Sequence, residues 1–268
     1  MTMQIAFYRL RKMVFFWEKP EIFIISYPKT GRTWLRALIG KSLSLLNALP
    51  EKRLLNTEYM SIASHLPRTV VTHDGSEMLA RRYYRELDPG KSKYKNKKVL
   101  LLSRDVRDTL VSAYFHATKR IKVFEGTISE FIRSEQYGAM KILTFYRQWY
   151  EARQIPKDLL FLRYEDLHRT PDVTLMNVLT FLGVKQPAPE VVRSAIEYAS
   201  FDNLKKVEAE KRLSSSILSV ADGNDPQSAK VREGKVGKYS KYLNEEDIKY
   251  IDSLLNDLGC EFTKPVDL

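Results

Sequence analysis

A single cysteine in 268 residues, Cys260, excludes an intramolecular disulfide framework and any cysteine-cluster metal site, and it fits a reducing compartment. Glycine and proline are sparse, 11 of each, so the chain is neither fibrous nor low-complexity. No run approaches the roughly 18 apolar residues that a membrane-crossing helix needs. Acid is in deficit: 33 Asp and Glu face 44 Lys and Arg, a formal charge of +11. An excess of this size points to an anionic partner, whether nucleotide, nucleic acid, acidic glycan or membrane surface. What the chain does have is 44% hydrophobic residues, enough to bury a sizeable core and exclude wholesale disorder.

The first seventeen residues hold no acid, and they set Arg9, Arg11 and Lys12 among Phe7, Leu10, Met13, Val14, Phe15, Phe16 and Trp17. Met13 to Trp17 is too short for the apolar stretch of a secretory signal, so a cytoplasmic location is expected. Residues 1–17 read either as packing on the core or as a basic, aromatic strip in peripheral contact with an anionic membrane.

The continuous apolar run Phe23-Ile24-Ile25 predicts a strand buried on both faces. From Thr33 the period changes: Trp34, Leu35, Leu38, Ile39, Leu45, Leu46 and Leu49 recur at helical spacing before Pro50. Val99 to Leu102 predicts a second strand, followed by Ser103-Arg104-Asp105 and a helix through about Thr118. Leu159 to Leu162 predicts a third, leading through Tyr164-Glu165-Asp166 to a helix with Thr170 as cap, Pro171 in its first position and Gly183 beyond its end. Val70-Val71-Thr72 adds a short strand ending at His73, and Asn244 caps a last helix whose Ile248, Ile251, Leu255 and Leu258 share a face. Strands alternating with helices give an α/β fold: one domain, 1–268, with a central parallel sheet flanked by helices and a P-loop-like nucleotide-binding architecture. Residues 1–20 are its basic and aromatic N-terminal segment. Lys91 to Lys98, five lysines without an acid, is expected to be a solvated loop, and 205–231 a mobile lid loop.

Tyr27-Pro28-Lys29-Thr30-Gly31-Arg32-Thr33-Trp34 joins the first strand to the first helix, where free N–H groups and the helix dipole favour an anion. Lys29 and Arg32 add charge, Thr30 and Thr33 add hydroxyls, and Gly31 admits close approach. The order is not that of a P-loop, because Lys29 precedes the glycine.

Lys29 to Trp34 resembles the 5′-phosphosulfate loop of the sulfotransferases that use 3′-phosphoadenosine 5′-phosphosulfate (PAPS), of cytosolic type and similar to bacterial members. Ser103 to Ser112 resembles the family's 3′-phosphate site, which implies that Arg104 and Ser112 bind that phosphate; a guanidinium can grip it through two parallel N–H bonds. The other reading of Arg104 is a simple pairing with Asp105 or Asp108. Arg232-Glu233-Gly234-Lys235-Val236-Gly237 resembles the family's Arg-Lys-Gly-x-x-Gly segment, and the resemblance extends to Arg232 and Gly234, whereas Glu233 departs from it. Tyr164, Ser200 and Phe201 match further nucleotide-contact positions, and Trp34 offers an aromatic face for adenine.

His73 falls where the family's catalytic base follows a threonine, and histidine suits that role near neutral pH. His65, His116 and His168 have no comparable placement. The lysine that many members carry two residues before the histidine is Val71 here. The resemblance implies an in-line displacement: His73 deprotonates a hydroxyl or amine that attacks sulfur, Lys29 neutralises charge on the bridging oxygen, and adenosine 3′,5′-bisphosphate (PAP) leaves. Arg32 contacts either phosphate or an anionic acceptor. No metal is expected, since a sulfuryl group carries less charge than a terminal phosphoryl group. The acceptor is a small molecule, a glycan or a lipid. A nucleotide kinase is the alternative enzyme; a basic nucleic-acid-binding module is the alternative from another class, but no zinc spacing or RNA-recognition signature is present, so no nucleic-acid partner is expected.

Overall fold

The computed structural model describes residues 19–210, 212, 213, 218, 229 and 234–265. The strip at 1–17, Arg232, Glu233 and most of the expected lid lie outside the described residues. In chain order the elements are β1 (Ile22–Ser26), α1 (Arg32–Asn47), α2 (Thr57–Ala63), β2 (Thr69–Thr72), β3 (Lys98–Ser103), α3 (Val106–Phe115) with a π-helical turn His116–Arg120, α4 (Ile128–Arg133), α5 (Ala139–Glu151), β4 (Asp158–Arg163), α6 (Tyr164–Arg169), α7 (Pro171–Phe181), α8 (Pro189–Tyr198), α9 (Phe201–Ala209) and α10 (Glu245–Leu258). The strands form one four-stranded parallel sheet in the order β2-β1-β3-β4. None of the described helices is long and apolar enough to cross a membrane.

The chain divides into two compact units, each assembled from three stretches. The first comprises Met1–Ile24, Thr33–Val71 and Asp166–Ser219. Its core takes Leu35, Leu38, Ile39 and Leu43 from α1 and Leu175, Val178 and Leu179 from α7. The Asn56 side chain accepts the Tyr59 N–H at 3.0 Å and so starts α2. Thr170 precedes Pro171 as expected but makes no cap bond; its hydroxyl turns instead to the Asp166 carbonyl at 3.5 Å and to Thr174. The segment expected to open a loop at 205 continues as helix to Ala209, because Leu204 and Val207 face the interior.

The second unit comprises Ile25–Arg32, Thr72–Glu165 and Val220–Leu268. Here β3 and β4 run parallel in the register Lys98↔Asp158 to Ser103↔Arg163. Val99 to Leu102 are fully buried, as a doubly covered strand requires. Helix α5 packs Phe145 on Tyr27, ring centroids 5.7 Å apart, and the Tyr146 hydroxyl donates to the Leu102 carbonyl at 2.9 Å. Asn244 caps α10 as its sequence predicts, accepting the Asp247 N–H at 2.8 Å.

One expectation is overturned in this unit. Lys91 does not belong to a solvated loop: it is 2% exposed, with Nζ 2.8 Å from the equally buried Asp74 carboxylate and 2.6 Å from the Asp88 carbonyl. Lys93 at 2.8 Å and the Tyr94 hydroxyl at 2.7 Å complete the set around Asp74. A buried ammonium persists only with such compensation, which the run of lysines conceals. Burial by itself would raise the Asp74 carboxyl, but hydrogen bonds from Lys91 and Lys93, and the Lys91 charge, reverse this and hold it below its ordinary value. The stability it contributes is therefore complete above the ordinary aspartate range and disappears as pH falls through the depressed value. Lys91→Met, which leaves Asp74 only Lys93 and the Tyr94 hydroxyl, should cost about 1–3 kcal/mol in urea unfolding at neutral pH. Much of that deficit should vanish in Asp74→Leu/Lys91→Met.

Candidate active site

Strand β1 ends at Ser26, and the chain reaches α1 through five residues of which two adopt positive φ, Lys29 at 73° and Gly31 at 92°. Gly31 is required twice over. Its φ favours glycine, and a Cβ built there would overlap the Tyr164 ring, with Cε2 only 2.7 Å away. No acid occupies the first turn of α1, so the positive end of its dipole stays uncompensated by the helix itself. Thr30 is fully buried and its hydroxyl donates to the Tyr27 carbonyl at 2.9 Å. That hydroxyl proton shapes the turn and is not the free donor expected from the sequence.

Arg104, just past the end of β3, joins this turn to a distant stretch of chain. Its Nη1 lies 3.4 Å from the Lys29 carbonyl and its Nη2 3.1 Å from the Lys235 carbonyl. The guanidinium stacks on the Tyr164 ring at 4.5 Å and stands 3.6 Å from the Asp108 carboxylate. Pairing with Asp108, the simpler of the two readings of this arginine, is thus present together with the loop contact. Asp108 also accepts the Gly237 N–H at 2.8 Å and the Tyr239 N–H at 3.0 Å, which fastens the segment that contains Gly234. Arg104 Nε is buried and has no hydrogen-bond partner among the described residues. Ser112 lies on α3 six residues after its first residue Val106, about 9 Å along the helix axis. Asp105 caps α3 by accepting the Arg107 and Asp108 N–H groups, and its own N–H donates to buried Glu165 at 2.9 Å. Burial pushes the Glu165 carboxyl up.

His73 follows β2 directly, and its Nδ1 lies 2.7 Å from the Ser26 carbonyl. A carbonyl only accepts, so Nδ1 carries the proton and the basic nitrogen of the neutral ring is Nε2. The His73 carbonyl receives the Ser76 N–H at 3.0 Å and the Ser76 hydroxyl at 2.6 Å. Main chain and ring are both held, the ring by the last residue of the strand that feeds the anion turn.

Residues 19–259 match the model of the sulfotransferase domain family. The chain belongs to that family. Among relatives of this sulfotransferase, the flavonol 3-sulfotransferase of Flaveria bidentis is 24% identical over 260 residues, covering 88% of this chain and 81% of its own. Sulfotransferase 1E1 of Bos taurus is 27% identical over 259 residues, with 86% and 82% covered. A mouse sulfotransferase solved in complex with PAP superposes with a TM-score of 0.62 at 21% identity, over 89% of this chain and 84% of that one. A retinol dehydratase solved with androsterone and inactive cofactor PAP gives the same TM-score at 19% identity, over 97% and 86%. The fold of the sulfotransferase is therefore the one these structures share.

Within the second unit the fold brings together Lys29, Gly31, Arg104 and Tyr164, with the 234–239 segment fastened beside them. Tyr164 is only 5% exposed, wedged between Gly31 and Arg104. In the first unit, Trp34 Nε1 donates to the Ala199 carbonyl at 2.9 Å, the residue before exposed Ser200 and half-buried Phe201, and its ring lies 4.6 Å from that of His168. Sequence reasoning did not assign Asp74, the structural use of Asp108, or the Ser26 carbonyl that orients the base. Only Asp108 left a sequence signal, its position four residues after Arg104.

Proposed function

We propose that this sulfotransferase moves a sulfuryl group from PAPS to a hydroxyl or amine of a small-molecule acceptor, with His73 as general base. The observation that carries this reading is the 2.7 Å contact of His73 Nδ1 with the Ser26 carbonyl, because it fixes the basic nitrogen of a histidine at the edge of an anion-binding turn. The residues present suit such a donor. Arg104 keeps a buried Nε without a partner among the described residues, Gly31 leaves the turn without a side chain, and α1 begins without an acid. PAPS supplies an activated sulfuryl group on a phosphate leaving group.

In this reading Lys29, Gly31, Arg32 and Thr33 hold the phosphosulfate end. Arg104, Ser112, Arg232 and Gly234 hold the 3′-phosphate, while Trp34, Tyr164, Ser200 and Phe201 serve the nucleoside. His73 Nε2 accepts the acceptor proton as attack proceeds, and the Ser26 carbonyl stabilises the imidazolium that forms. Lys29 neutralises charge on the departing oxygen. Residues 1–268 act as one sulfotransferase domain. Names among the relatives, flavonol and cytosolic sulfotransferases, support a small-molecule acceptor and a cytoplasmic setting.

Transfer of labelled sulfate from PAPS across phenols, steroids, oligosaccharides and glycolipids tests the reading. Activity should persist in EDTA; its loss there would favour a magnesium-dependent kinase. Lys29→Ala should lower kcat by about 10²–10³-fold, the scale of one lost electrostatic contact to the transition state. PAP, which lacks the sulfuryl group, should bind the variant within about tenfold of wild type by calorimetry, a difference of about 1.4 kcal/mol or less.

A further inference from the structure

The chain from His73 to Lys98 holds eight basic and four acidic residues, and three of the acids are engaged locally. Asp74 is neutralised by Lys91 and Lys93. Glu86 accepts the Tyr83 N–H at 2.6 Å, Asp88 accepts the Gly90 N–H at 2.8 Å, and half-buried Glu77 precedes the short turn Met78–Ala80. Two exposed arginines follow that turn, Arg81 and Arg82, and neither has a carboxylate within 4 Å among the described residues.

Arg82 is not remote from the base. Its Nη1 lies 3.3 Å from the Gly75 carbonyl, two residues past His73, and its own carbonyl accepts Lys141 Nζ at 2.7 Å. Lys141, on α5, is fully buried, also without a carboxylate within 4 Å among the described residues. A fully buried lysine is rare without a counter-charge. Burial pushes its amine down to about 8, Glu77 and Glu86 favour its charge from a distance, and Arg82 opposes it. One turn further along the same helix, Phe145 packs on Tyr27, next to the Ser26 that holds His73. Two separate paths thus tie Lys141 to the base, one through Arg82 and Gly75, the other through α5.

Exposed cations on the segment that follows the base, with no carboxylate within 4 Å among the described residues, favour an anion. We propose that Arg81 and Arg82, with Lys141 behind them, form a specificity subsite for an anionic group on the acceptor, so that preferred acceptors are hydroxyl compounds carrying a carboxylate or phosphate. The proposal rests on His73 being the base. The charge can come from a soluble acid or a lipid headgroup, and two matched pairs separate these sources: N-acetyltyrosine against its amide, and phosphatidylglycerol against monoacylglycerol in neutral detergent micelles.

Sulfate transfer should favour the anionic member of at least one pair by about tenfold in kcat/KM at low salt, and the margin should shrink as ionic strength rises. Arg81→Gln/Arg82→Gln, and separately Lys141→Met, should erase the margin through KM while PAP affinity stays unchanged. Calorimetry of the same compounds against the enzyme–PAP complex gives the comparison where turnover is slow. Equal or absent binding and turnover of the anionic members in both pairs overturns the subsite, as does a margin that survives the double substitution. Failure of the base assignment looks different: His73→Gln would then still transfer sulfate to the same acceptors.

Discussion

His73→Gln should lower kcat by about 10²–10⁴-fold while PAP binds as tightly as to the wild type, the span expected when a positioned general base is removed. Glutamine can keep a donor toward the Ser26 carbonyl, now 2.7 Å from Nδ1, so the turn between β1 and α1 need not shift. What disappears is the basic nitrogen on the far side of the ring. Steady-state transfer assays combined with calorimetry separate the two effects. A large loss of PAP affinity in this variant would show that the histidine braces the turn rather than serving the acceptor.

Gly31→Ala should damage both the stability of the enzyme and its nucleotide affinity. Holding a residue with a side chain at φ 92° costs about 1–2 kcal/mol. The added methyl also meets the Tyr164 ring, which is 5% exposed and stacked on Arg104 at 4.5 Å, so the ring has no room to retreat. We expect a total destabilisation of about 2–4 kcal/mol by urea unfolding, within the range for strained backbone plus overpacking. PAP affinity should fall by at least about a hundredfold, or about 2.8 kcal/mol, because the methyl displaces both the turn and Arg104. Gly31→Ala/Tyr164→Leu should recover the steric part of the stability loss and leave the backbone part. A double variant no more stable than Gly31→Ala would mean that the ring contact is not the cause.

The frame of the fold could be read from the chain wherever apolar residues are continuous, even in β4, whose Leu159 to Phe161 are only half-buried. Phe23 to Ile25, Val99 to Leu102 and Leu159 to Leu162 are strands because apolar runs bounded by polar turns have few other uses, and Asn244 and Pro171 announce their helices through cap and ring chemistry. Helix α5 stayed hidden because Lys141 occupies its buried face and interrupts the apolar period that Ile142, Phe145, Tyr146 and Trp149 would otherwise display. Helix α2 is two turns long, too short for periodicity to emerge. Within the site, Lys29, Gly31, Arg104 and His73 were legible as residue types at strand ends. Their supports were not: the Ser26 contact uses a backbone carbonyl, which every residue has, and the Asp74 cluster joins residues 17 and 20 positions apart.

Asp108 carries a consequence for how the site keeps its positive character. Its two oxygens each take a backbone amide, from Gly237 and Tyr239, before either reaches the neighbouring guanidinium 3.6 Å away. An acid so engaged is a poor quencher of the cation beside it. The fold thus places an aspartate within arm's length of its key arginine and still leaves that arginine able to greet a negatively charged guest.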